Sequence, residues 1–179
     1  MNKTFQTFQT LSAIPALALL ALFALLALSA APCAASEPIS GAFGYLLGEP
    51  FNTSSVPGVA VNKFGLLDCE VEPRQGAEMF EYYHLDVTPV SKRIAQISGI
   101  ACYQSATEFR DNLRELLAFL QSKYGQASQD KGGYLISQEK KSIYVFTTEN
   151  TMAPEYTLTV LYTDDELYET GSKEQTAKQ

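Results

Sequence analysis

The chain carries a single histidine, His84. Any Ser-His-Asp or Cys-His mechanism must therefore pass through it. No G-x-S-x-G elbow is present to supply a nucleophile. His84 sits in the middle of an alternating run, Met79 to Thr88. In that run Tyr83, Leu85 and Val87 point one way, and Tyr82, His84, Asp86 and Thr88 the other. A second run, Leu67 to Glu72, alternates in the same manner, with Leu67, Cys69 and Val71 set against Asp68, Glu70 and Glu72. Pro73-Arg74-Gln75-Gly76 between them is turn chemistry. If the two runs pair, their apolar faces must coincide, so opposed positions must keep equal parity. A register with Asp68 opposite His84 and Glu70 opposite Tyr82 meets that condition, and Asp86 is then a diagonal neighbour. Asp68, Glu70, His84 and Asp86 would share one sheet face. Carboxylates with one imidazole suit a divalent metal or a small hydrolytic site. The plainer account is a solvated face with one His–Asp cross-strand pair, worth a few tenths of a kcal/mol. It is preferred, because metal centres need an outer layer of hydrogen bonds that an open face does not provide. No catalytic residue, metal or cofactor is assigned from the sequence.

Two cysteines lie beyond the N-terminal segment, Cys69 and Cys102. An even count in an exported chain favours a disulfide. Against this, if sheet order follows sequence order, Cys69 lies two strands away from the strand that Cys102 ends. That is about 9.6 Å, too far for a bridge. The pair stands as a possible bond that requires a different strand order, or Cys102 beyond its strand.

These residues are positioned by elements that read mostly as strand. The exception is Ser105 to Gly125, where Phe109, Leu113, Leu116, Leu117, Leu120 and Tyr124 form one apolar stripe at helical spacing. Ser105 and Glu108 make a capping box, and Gly125 suits a helix stop. Around this helix stand a glycine-interleaved segment in Gly41–Pro50 and the two alternating runs. An Ile/Ala-rich run at 93–101 and a hairpin of 134–138 with 142–148 follow, and a last strand at 156–163 completes the set. Segment 164–179 reads as a polar tail that begins as a short helix and frays. The predicted fold is α+β: an antiparallel sheet of about five to six strands with one amphipathic helix (105–125) on one face. The domain spans 36–163, with no repeat.

Residues 1–35 hold one charge, Lys3, then a Leu/Ala-rich run from Leu11 to Leu28, then small residues to Ala35. That is the layout of a secretory signal peptide, with Cys33-Ala34-Ala35 before Ser36 as the favoured cut. The run is also long enough to serve as an uncleaved anchor. The whole chain has 13 basic and 20 acidic side chains. Without Lys3 the remainder keeps 12 and 20, a net charge of −8. Such a surface argues against nucleic acid and against anionic membranes. Gly41–Pro50 lacks the spacing and following helix of a phosphate loop. The ten tyrosines suit strands and interfaces alike.

The stretch Gly41–Phe51 (GAFGYLLGEPF), the Y-x-L-x-V-T-P strand end at Tyr83–Pro89 and the helix end Lys123-Tyr124-Gly125 together resemble small exported bacterial proteins of unassigned function. The resemblance implies a bacterial envelope setting and carries no catalytic or binding residue. The expected function is an exported, periplasmic or secreted, non-catalytic module that binds another envelope or extracellular protein. Two alternatives are a small metal-dependent or hydrolytic enzyme on Asp68, Glu70, His84 and Asp86, and a membrane-tethered structural component.

Overall fold

The computed structural model describes residues 36–150 and 155–176. The predicted signal peptide, 1–35, lies outside the described residues. Ser36–Gln179 forms one compact unit. Ten strands and two helices are present among the described residues: β1 Gly41–Ala42, β2 Tyr45–Leu46, β3 Ala60–Val61, β4 Leu67–Glu70, β5 Tyr82–Val87, β6 Ile94–Tyr103, α1 Ala106–Tyr124, β7 Ser128–Asp130, β8 Gly133–Gln138, β9 Lys141–Glu149, β10 Tyr156–Asp164 and α2 Asp165–Thr176.

Eight strands form one antiparallel sheet in the order β3-β4-β5-β6-β10-β9-β8-β7. The class is α+β, as expected. The sheet exceeds the expected five to six strands, because β3 and β7 are two- and three-residue edge pieces without enough periodicity to be read. It consists of two four-strand meanders whose last-formed strands meet, β10 beside β6, with α1 as the connection between them. Short edges leave little unpaired backbone for another chain to join.

α1 forms as the stripe predicts. Phe109, Leu116, Leu120 and Tyr124 are buried, and Leu113 and Leu117 pack against the same core. Ser105 Oγ accepts from the Glu108 N–H at 3.4 Å, and Gly125 ends the helix at φ 101°. The stripe rests on the sheet face that carries Leu85, Ile97, Leu158, Val160 and Tyr162. Phe109 stacks on Tyr156 at 5.2 Å between centroids, and Tyr124 meets Tyr162 edge-on at 6.3 Å. The glycine-interleaved segment of Gly41–Pro50 contains a two-stranded hairpin, β1 paired with β2. Phe43 at its tip has φ 54°, an unusual angle for an aromatic residue. Its ring is held edge-on by Tyr83 and Phe80, at 4.9 and 5.3 Å. Gly99 of β6 leaves the room for it, since a Cβ there would lie 2.7 Å from Phe43 Cζ.

Asp165–Thr176 is a docked helix where a polar, fraying tail was expected, so the ordered domain continues past residue 163. Asp164 Oδ1 accepts from the Leu167 N–H at 3.0 Å, and Asp165 and Glu166 occupy the positive first turn. Gly171 approaches Leu66 and Thr88 so closely that a Cβ would come within 2.6 Å of Leu66 Cδ2. Glu174 accepts from the Val90 N–H at 2.9 Å and from Ser91 Oγ at 3.2 Å. Its apolar strip is only Leu167, Tyr168 and Gly171, too narrow to stand out in a charged segment.

Candidate functional site

Strands β4 and β5 pair as expected, but the register is displaced by two residues. Asp68 faces Asp86, and Glu70 faces His84. A two-residue slip preserves parity, so the face assignment survives while every opposed pair changes. The connection sets the slip. Tyr83 Oη donates to the Ala77 carbonyl at 2.9 Å and lies 3.1 Å from the Phe80 carbonyl, which ties the 77–80 turn down. Tyr82, His84 and Asp86 lie on the face away from α1, alternating with buried Tyr83, Leu85 and Val87.

His84 Nδ1 lies 2.9 Å from Asp68 Oδ1, across the diagonal, with 30% and 39% of the two side chains exposed. Asp86 has a different environment. Asn62 Nδ2 donates to its Oδ1 at 3.0 Å. Asn62 Oδ1 in turn accepts from the Phe64 and Leu66 N–H groups, which holds the 62–66 turn over the carboxylate. Burial, then the charge of Asp68, pushes the Asp86 carboxyl up to about 6. Burial, helped by Asp86, pushes the Tyr168 hydroxyl of α2 up to about 12. Phe64 meets Tyr168 edge-on at 5.8 Å.

The four candidates thus share a face without converging. Among the described residues no group of three His, Cys, Asp or Glu side chains has the geometry to hold a metal ion. Ser98 Oγ donates to the His84 carbonyl at 3.4 Å, and not to the imidazole.

Both cysteines are free. Cys69 faces the core opposite Leu85. Cys102 shares the parity of Ile100, which pairs with Tyr82, and so lies on the other face of the sheet. Sheet order follows sequence order from β4 to β6, so the possible bond between them is excluded twice, by strand separation and by face. Burial pushes the Cys69 thiol up to about 11, which keeps it a thiol.

At the end of the sheet where β4 stops and β5 begins, a cleft of about 620 Å³ opens. Buried Tyr45 and Tyr83, partly buried Phe51 and Tyr82, which is 47% exposed, supply aromatic walls. Glu70, Glu72 and Glu81 stand exposed around them. Tyr45 Oη donates to the Glu72 carbonyl at 2.7 Å, and Arg74 lies 4.3 Å over the Tyr45 ring. Sequence reasoning missed this cleft. Its signal was the tyrosine excess and the aromatics between the glycines of Gly41–Phe51, both of which also describe ordinary strands. No protein-family model, curated protein or solved structure matches the chain.

Proposed function

We propose that this chain is an exported, non-catalytic binding module of the bacterial envelope, and that it meets a protein partner at the cleft between the 51–57 segment and the β4–β5 end. The carrying observation is Tyr82, a large aromatic left 47% exposed in a concave aromatic surface. Tyrosine in such a setting contributes apolar area and a hydrogen bond at little entropic cost. Export rests on the signal-peptide pattern of residues 1–35, and the compact unit begins at Ser36, the residue that follows the expected cut. The acidic balance supports a protein partner over nucleic acid.

One observation favours a second reading, a small hydrolytic enzyme. The His84–Asp68 pair lies close to Asp86, whose carboxyl is displaced toward neutral pH, and displaced groups gather at active sites. The two readings separate in a null strain complemented with single variants. Binding expects Tyr82→Ala to lose the null phenotype's rescue and His84→Ala to retain it, each with an unchanged melting curve. The reverse pattern favours the enzyme.

A further inference from the structure

A groove of about 530 Å³ lies between the β1–β2 hairpin and the last turns of α1. The chain has 20 acidic side chains, yet none of the residues lining this groove is Asp or Glu. The Tyr82 cleft, by contrast, is rimmed by Glu70, Glu72 and Glu81. Leu46 of the hairpin is 54% exposed and Phe119 of α1 is 55% exposed, an apolar residue on each wall. Lys123 follows Phe119 by one helical turn. Its ammonium is 6.0 Å from the Phe119 ring centre and 5.2 Å from that of Tyr124. The Tyr162 ring of β10, 6% exposed, lies between the two walls. It meets Phe43 of the hairpin edge-on at 6.2 Å and Tyr124 of α1 edge-on at 6.3 Å. Its hydroxyl makes no hydrogen bond to another group of the protein. Among the described residues only the Tyr103 hydroxyl is both sealed and without a partner, so the Tyr162 hydroxyl keeps accessible surface. Phe43 and Tyr124 close on its ring from either wall, which leaves that surface facing the groove. A donor so deeply placed in an apolar surround is costly to leave unpaired.

We infer that this groove binds an aliphatic monocarboxylate, with the Tyr162 hydroxyl donating to the carboxylate, Lys123 supplying the counter-charge, and the alkyl chain covering Phe43, Phe119 and Leu46. The hydroxyl and the ammonium are both donors, so the ligand must accept there, and an ionised oxygen accepts most strongly. One ammonium balances one negative charge, whereas a phosphate dianion is left uncompensated. A cation meets Lys123 and finds no carboxylate on the walls to hold it. A peptide brings amides against Phe43, Phe119 and Leu46, whose side chains offer them no partner. Lys123 is free to exchange its present contact. It lies 3.5 Å from the exposed Glu37 carboxylate, well beyond the roughly 2.8 Å of a close charge-assisted hydrogen bond. This site is distinct from the Tyr82 cleft, and the two share only Tyr45.

The test is calorimetric titration of the protein, recovered from cells expressing the full chain, with octanoate, 1-octanol, acetate and Nα-acetyl-leucine. Saturable binding of octanoate is expected. Octanol should bind at least about tenfold more weakly for want of a charged acceptor, and acetate likewise for want of an alkyl chain. Nα-acetyl-leucine keeps the carboxylate on a peptide-like body and should also bind more weakly than octanoate. Tyr162→Phe removes only the hydroxyl. It should weaken octanoate about three- to tenfold, with the melting temperature of the free protein kept or raised. Lys123→Gln should weaken octanoate about two- to fivefold, and Glu37→Gln, which removes the competing carboxylate, should tighten it by up to about twofold. Lys173→Gln on α2 makes the same change of charge outside the groove and should leave binding unchanged. Four outcomes overturn the site: no saturable octanoate binding at millimolar concentration, equal binding of octanol, tighter binding of Nα-acetyl-leucine, or equal losses in the Tyr162, Lys123 and Lys173 variants. None of these bears on the Tyr82 and His84 complementation, so the binding-module reading stands or falls separately.

Discussion

Asp86 shows how one carboxylate, buried beside a second at Asp68, can weaken a fold. Its carboxyl ordinarily titrates near 3.8 and is raised to about 6 by burial and by Asp68 opposite. The folded state therefore holds this proton more tightly than the unfolded chain does. The favourable contribution is complete below about pH 4 and is lost as pH rises through about 6. Asp86→Asn keeps an oxygen for Asn62 and removes the charge. It should stabilise the protein by about 2 kcal/mol at about pH 7.5 and by almost nothing at about pH 4. Urea midpoints of both proteins at the two pH values measure this, and a gain that is equal at both would show that charge is not the cause. Cys69 and Tyr103 make the same point from the neutral side, since both are buried groups whose ionised forms the interior disfavours.

At the scale of elements, α1 and α2 differ in how they are encoded. α1 has a wide stripe, a cap and a glycine stop, so its local sequence and its packing agree. α2 has a narrow apolar strip in a charged segment, and it is held by Leu66, Thr88 and the Glu174 contacts to the 90–91 turn. Gly171→Ala distinguishes a docked helix from a solvated one. In a solvated helix alanine adds up to about 1 kcal/mol of stability. Here its Cβ would collide with Leu66 Cδ2 and Thr88 Cγ2, so a loss of about 1 to 2 kcal/mol is expected. Thermal denaturation of the variant decides by sign alone. The β1–β2 hairpin is likewise placed by a contact, Phe43 over Gly99, and its glycines by themselves say only that the backbone turns.

The whole molecule depends on the join between its two meanders. β6 and β10 run beside each other over eight opposed pairs and form the middle of the sheet. Amide exchange should be slowest in these two strands and fastest in β3 and β7 at the edges. Uniformly faster exchange across β7–β10 than across β3–β6 would instead mean that the meanders open separately. Much of this architecture was legible beforehand. Alternation assigned Tyr82, His84 and Asp86 to the face away from α1, because side-chain parity is a local property of an extended chain. Helical spacing and caps located α1 for the same reason. The sequence by itself thus determined which way side chains point and where the longer elements run. Tertiary structure decided which residues stand opposite one another, because slips of two residues are equivalent to the local pattern and only the 77–80 turn distinguishes them. It decided that β10 returns to β6, that α2 docks, that Cys69 and Cys102 lie on opposite faces, and that the Tyr103 hydroxyl is buried without a partner. Each of these depends on contacts between segments far apart in the chain, and no local periodicity records them.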